Sequence, residues 1–408
     1  MKPTVLIVTT SRWFPTARLA VALAKVGFAV EAVCPSGHSI ALTSAVTRTL
    51  PYSGLSPLRS IAAAIAATNP DLIVSGDDLA TYHLHCLHDQ AGTSESSLRA
   101  LIERSLGAPE HFATVDAREK FMQAAKAQGV RVPDTEVIGD RDALEKWMTR
   151  AGFPSVLKAD GTSGGDGVRV ISSAQQAERA FRELQAAPLF TRAAKRALLD
   201  RDTRLVWPAL QRHRSIVNAQ SFVNGTEATS AVACWNGTVL ASLHFAVLQK
   251  SHASGHATVL RFIEHPEMDS AAKKMVRTLK LSGLQGFDFM LEKGSDHAYL
   301  IEINPRATQV CHLSFGPWHD LPAALISAVT GNERVAAPRV TEGDTIALFP
   351  HEWLRDPSSP YLRSGYHDVP QDEPELLRAC TKKRRGKYLR DLVKRYQRQT
   401  DESPSKLP

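Results

Sequence analysis

The tightest constraint on this chain lies between Gly286 and Arg306, where two alternating runs flank a short polar turn. In the first, Phe287, Phe289 and Leu291 alternate with Asp288 and Met290. After Lys293-Gly294-Ser295-Asp296, the second sets Leu300, Ile301 and Ile303 around Glu302 and runs on into Asn304-Pro305-Arg306. Period-two alternation predicts two strands joined by a turn. Side chains two residues apart on a strand share a face, so such a hairpin can bring Asp288 opposite Glu302 with Asn304 beside them. Three oxygen-bearing side chains on a rigid sheet suit a hard cation, and Mg2+ typically takes one or two carboxylates with phosphate oxygens and water. Arg306, just beyond, carries the planar fork that grips a phosphate through two hydrogen bonds. Residue by residue, the same pattern also suits an ordinary hairpin with a wet polar face.

Three further segments bear on that choice. The block from Phe153 to Val170 predicts a strand that delivers Lys158 to a glycine-rich loop containing Gly161, Gly164, Gly165 and Gly167, with Val168 to Ile171 as the return strand. Glycines without Cβ let backbone N–H groups approach phosphate oxygens, and a lysine adds a point charge. No Gly-Lys-[Ser/Thr] closes the loop and no helix follows it, so it is not a Walker A loop. A glycine-rich β-turn with no ligand is the other reading. Ile216 to Glu227 reads as strand, turn and strand, and Asp116 to Gln128 as a helix stopped by Gly129 ahead of Val130-Arg131-Val132-Pro133.

In this order the four segments resemble the ATP-grasp superfamily, in the Glu-x-Asn-Pro-Arg form of its biotin carboxylase and carbamoyl-phosphate synthetase branch, over roughly residues 110–330. The resemblance implies a mixed α/β and α+β chain, with a Rossmann-like domain (1–110) preceding a two-subdomain ATP-grasp fold (111–330). In that fold a lid spans about 150–222 and a metal-binding subdomain about 223–330, and a C-terminal extension (331–408) follows. The implied cofactors are ATP and two Mg2+ ions, with Mn2+ as a substitute. Lys120 and Lys158 would sit on the phosphates, with Gly164, Gly165 and Gly167 closing over them. The adenine would meet the Ser221 carbonyl and Val223 N–H with Phe222 beside the ring and Gln220 at the hinge, where many relatives carry Glu. Glu227 would accept from the ribose. Asp288 and Glu302 would hold one ion and Glu302 with Asn304 the other, while Arg306 joins Lys158 in the chemistry. The implied reaction joins a small-molecule carboxylate to an amine through an acyl phosphate. A bicarbonate-activating enzyme and a nucleotide-binding regulator without turnover are the alternatives, and a homodimer is an expected assembly.

The rest of the chain fits that frame. Thr4 to Val8, Ala29 to Val33 and Asp71 to Val74 predict buried parallel strands with helices between them, and no GxGxxG turn follows the first. Asp77 and Asp78, after the third strand, suit either a helix N-cap or a substrate contact at the carboxyl edge of the sheet. His83, His85 and His88 invite a zinc reading, but on a helix only His85 and His88 share a face, and structural histidines are expected. The loop from Gln249 to Thr258, with Lys250, His252 and His256, lies where ATP-grasp relatives meet the acceptor. Five scattered cysteines fit reduced thiols and a cytoplasmic protein. A net charge of +7 suits anionic ligands. No nucleic-acid or membrane partner is expected, although the basic tail Lys382-Lys383-Arg384-Arg385-Gly386-Lys387 would suit either.

Overall fold

Four short parallel strands open the chain, in the order β3-β2-β1-β4: β1 (Thr4–Val8), β2 (Ala29–Cys34), β3 (Val46–Pro51) and β4 (Leu72–Ser75). The structure, a computed structural model, describes residues 2–92, 95–160, 167–186 and 215–380. Gly164, Gly165, the basic span around residues 192–196 and the tail from Lys382 lie outside the described residues. In the central strand, Val5, Leu6, Ile7 and Val8 are fully buried between layers, which is why the sequence there is an unbroken apolar run. β3 is an addition to the three strands expected from sequence. It is an edge strand whose Thr47, Arg48 and Thr49 are exposed, so it carries no apolar signal.

A second, antiparallel sheet has the order β5-β8-β6-β7: β5 (Thr135–Ile138), β6 (Ser155–Ala159), β7 (Val168–Ile171) and β8 (Val217–Ser221). Its outer face is covered by the helices Arg141–Ala151 and Ala174–Gln185, with Leu144, Trp147, Ala177 and Phe181 packed on Leu157, Ile171 and Ala219. This sheet starts at Thr135, ahead of the lid boundary near 150, because β5 pairs with β8 across the chain (Thr135 opposite Gln220).

The third sheet has seven strands, in the order β13-β12-β9-β10-β11-β14-β15: β9 (Gly225–Trp235), β10 (Thr238–Lys250), β11 (Ala257–Phe262), β12 (Gly283–Glu292), β13 (Ala298–Asn304), β14 (Thr345–Ala347) and β15 (Tyr366–His367). Asn236 and Gly237 join β9 to β10 with φ of 47° and 77°, the left-handed pair that a tight hairpin turn requires. β14 and β15 lie in the segment expected as a C-terminal extension, yet they complete this sheet, and Leu376 is fully buried.

One apolar core joins Val5 and Ile7 of β1 to Ala231, Leu243 and Phe245 of the large sheet, with Leu325 from the helix Leu321–Thr330 between them. The carboxyl ends of β1 and β4 are thereby fixed against the end of β13. No described helix is long and apolar enough to cross a membrane.

Candidate active site

The hairpin β12–β13 pairs Asp288 with Glu302 and Gly286 with Asn304, as the alternation predicts. Asp288 accepts hydrogen bonds from Thr229 Oγ1 and Asn304 Nδ2, both at 2.8 Å. Among the described residues no three His, Cys, Asp or Glu side chains converge, so the hairpin offers two carboxylates and an amide. That donor set fits Mg2+, which needs only one or two protein carboxylates, and fits poorly a metal that wants a nitrogen or sulfur cage. Close to Gly286, the site leaves no room for a larger residue: a Cβ there would meet Thr308 Cγ2 at 2.4 Å and Asn304 Cβ at 3.1 Å.

Facing the hairpin across a cleft stands the small sheet, whose β6 and β8 set Lys158 opposite Asn218. Lys158 is 5% exposed, and among the described residues its only hydrogen bond is a long one, 3.5 Å, to the carbonyl of Ile301. Burial, with repulsion from Arg118, pulls its ammonium down to about 8 against the attraction of Glu302, Asp288 and Glu227. Burial and the nearby Glu302 push Asp288 up to about 6, despite its bonds to Thr229 and Asn304. Burial would also raise Glu302, but Arg118, Lys158 and Arg306 outweigh it and hold Glu302 below the ordinary glutamate range. The cleft therefore holds one firmly ionised carboxylate, one easily protonated carboxylate and a buried cation that lacks an anion. Such an arrangement is costly unless a ligand completes it.

Arg118 spans the cleft. It lies at the start of the helix Arg118–Ala127, with Nη2 2.9 Å from Glu302 Oε1 and Nε 3.4 Å from Asp160 Oδ1. Asp160 also accepts from Asn218 Nδ2 at 2.9 Å. The cation expected from this helix was Lys120, which the structure leaves exposed. Residues two apart on a helix point about 200° apart, so only one of Arg118 and Lys120 can face the sheet. Neither Arg118 nor Asp160 was singled out from the sequence. For Asp160 a signal existed, since it lies two residues past Lys158 at the end of the same strand.

Arg306 is held from three sides. Asp78 Oδ1 accepts from Nε at 3.0 Å, Asn304 Oδ1 from Nη2 at 3.0 Å, and the Ala307 carbonyl from Nη1 at 3.2 Å. Asp78 comes from the first domain. The same junction is pinned by Thr81 Oγ1 donating to the Pro305 carbonyl (2.7 Å) and Ala307 N–H to the Ser75 carbonyl (2.9 Å). Asp77, by contrast, is an N-cap. It accepts from Ala80 N–H at 3.0 Å and from the Thr10 and Ser11 N–H groups at 2.7 and 3.0 Å, locking the loop after β1.

Between the two antiparallel sheets runs the expected hinge. Gln220 shares the cleft face with Lys158 and Asn218, but its amide donates to Thr135 Oγ1 at 3.0 Å, within the small sheet. Ser221 N–H donates to the Asp134 carbonyl, and Phe222 is 39% exposed. Glu227 is paired with Lys250 at 2.6 Å. Gly167 is buried and its carbonyl accepts from Ala159 N–H. Two histidines of the helix Asp78–Gln90 have structural partners: His85 Nδ1 lies 2.9 Å from Asp116 and the ring stacks on Phe112, and His88 Nε2 lies 2.7 Å from Glu103.

Residues 117–314 match the family model described as the carbamoyl-phosphate synthase L chain, ATP binding domain. They form an ATP-grasp domain. Three solved structures share the wider fold. N5-carboxyaminoimidazole synthetase from Staphylococcus aureus, complexed with ADP, aligns at 14% identity and a TM-score of 0.55, covering 82% of this chain and 80% of that one. Biotin carboxylase from Campylobacter jejuni gives 16%, 0.56, 83% and 72%. An L-amino acid ligase from Bacillus licheniformis gives 13%, 0.53, 81% and 75%. At such identities the likeness is one of fold, and it covers more of the chain than the family match does. The ATP-grasp match begins at Ala117, immediately before Arg118, and takes in the hinge, Lys158 and the whole β12–β13 hairpin.

Proposed function

We propose that this chain is an ATP- and Mg2+-dependent ligase that activates a small-molecule carboxylate as an acyl phosphate and passes the acyl group to an amine. The observation that carries this reading is Lys158: a buried ammonium with one weak hydrogen bond among the described residues, beside the Asp288–Glu302 pair, suits the binding of a phosphate. Mg2+ held by Asp288 and Glu302, with Asn304 adjacent, would neutralise charge on the transferring phosphoryl group. Lys158 and the solvent-shielded Nη1 of Arg118 supply fixed positive charge where the terminal phosphate would lie. A substrate carboxylate oxygen attacks the γ-phosphorus and ADP leaves. The amine nitrogen then attacks the acyl carbon, gives up a proton, and phosphate departs. Arg306, whose orientation is held by Asp78 and Asn304, would bind the acyl phosphate and the tetrahedral oxyanion.

Two neighbouring structures are of biotin carboxylases, one of them in complex with MgADP and bicarbonate, so bicarbonate is the second candidate for the activated oxyacid. The test is phosphate release from ATP and Mg2+ by wild type and Glu302→Gln, across pools of amino acids, small carboxylates and bicarbonate. Release that requires one carboxylate–amine pair and disappears in Glu302→Gln supports the ligase. Release driven by bicarbonate without an amine moves the reading to a carboxylating enzyme. Retained release in Glu302→Gln contradicts the site.

A further inference from the structure

Arg118 lies on the carboxylate that a metal would use. Its side chain is 11% exposed, Nη2 is 2.9 Å from Glu302 Oε1, and Nε is 3.4 Å from Asp160 Oδ1. Its third nitrogen, Nη1, is shut off from solvent and has no hydrogen-bond partner. The guanidinium thus bridges the two walls of the cleft, bound through two edges and open on the third. With Lys158 and Arg306 it faces Asp78, Asp160, Asp288 and Glu302, while Glu227, which also attracts Lys158, is neutralised by its own pair with Lys250. Three fixed cations among four carboxylates leave little net negative field for a free divalent ion, which must also shed strongly held water to bind. A nucleotide changes the balance, since its phosphates offer Nη1 and Lys158 the anion they lack.

We propose that Arg118 is an internal counter-ion that keeps divalent metal off Glu302 in the nucleotide-free protein, releasing it only when nucleotide phosphates take up its guanidinium. Metal and nucleotide then enter together, and metal alone does not occupy the hairpin. Asp160 keeps Arg118 in the cleft during the exchange, because the Nε contact can persist while Nη2 changes partner. This inference rests on the nucleotide reading given above, but concerns the metal site in its absence.

The probe is Mn2+ alone, followed by electron paramagnetic resonance of the free ion, on the full chain. Wild type should show no saturable Mn2+ binding below the millimolar range without nucleotide. Arg118→Met should bind Mn2+ alone at least tenfold more tightly, and Arg118→Met/Glu302→Gln should lose that gain, which places the ion on Glu302. Arg118→Gln, which retains a hydrogen-bonding group toward Asp160, serves if the methionine variant does not fold. Tight Mn2+ binding to nucleotide-free wild type overturns the proposal, as does an Arg118 variant that binds no better. Failure of the nucleotide reading has a different signature: wild type would bind neither ADP nor the Mn2+–ADP complex.

Discussion

Replacing Lys158 by Met should make the ligand-free protein more stable while removing its hold on nucleotide phosphates. The ammonium is 5% exposed, its one hydrogen bond is 3.5 Å long, and burial with the neighbouring Arg118 draws it from an ordinary value of 10.5 to about 8. At about 1.4 kcal/mol for each tenfold change in a proton equilibrium, that difference corresponds to about 3 kcal/mol of folding free energy spent on keeping the charge in place at pH 7. Methionine fills nearly the same volume with no charge to bury. The pH dependence follows from the sign. A base whose folded pKa lies below its unfolded one burdens the fold most where both states are protonated, below about pH 8. The burden fades as pH rises from 8 toward 10.5, because the folded protein sheds the proton first. Urea unfolding of wild type and Lys158→Met at pH 7 and pH 10.5 measures this, since groups that do not interact with Lys158 cancel in the difference. The variant should be more stable by about 3 kcal/mol at pH 7, with most of that advantage gone at pH 10.5. Added Mg2+–ADP should stabilise wild type and leave the variant nearly unmoved. A variant no more stable than wild type at pH 7, or an advantage that does not shrink at high pH, would refute the reasoning.

Two further outcomes are expected. Gly286→Ala, whose new methyl would crowd Thr308 Cγ2 at 2.4 Å and Asn304 Cβ, should cost about 1–3 kcal/mol and lower nucleotide-dependent turnover. Gly286→Ala/Thr308→Ser, which removes the clashing methyl, should recover most of the stability in a double-mutant cycle, and additive losses would count against the contact. Asp368 is 1% exposed and bonded to Arg18 and to His312 Nε2 (2.7 Å), tying the C-terminal segment to the first domain and to the loop after Arg306. Burial raises its pKa, but His312 and Arg18 outweigh it, so its stabilisation is present above the ordinary aspartate range and fades as pH falls through it. Asp368→Ala should therefore destabilise by about 3–5 kcal/mol at pH 7 in urea unfolding, with the deficit shrinking in acid.

Local periodicity was enough for the part of the site that lies on strands. Alternation fixes which face each side chain takes, so Asp288, Glu302 and Asn304 could be placed together, and Lys158 assigned to a strand, before any tertiary contact was known. The unbroken apolar run Thr4 to Val8 likewise marked β1 as a buried parallel strand. What alternation cannot reach is the phase of a helix about its axis. Whether Arg118 or Lys120 faces the cleft depends on how the helix Arg118–Ala127 packs Phe121, Met122 and Ala125 against the large sheet, and a step of two residues reverses the answer. β3 was silent because an exposed edge strand needs no apolar side chains, and β15 because two residues are too short to show a period. Asp78 reaches Arg306 across 228 residues, through a core shared by the first domain and the large sheet, and no local pattern specifies so distant a partner. Charge follows the same division. The sequence placed a lysine, a glutamate and an aspartate near one another, but desolvation and neighbours, which exist only once the sheets face each other, decided which stays ionised.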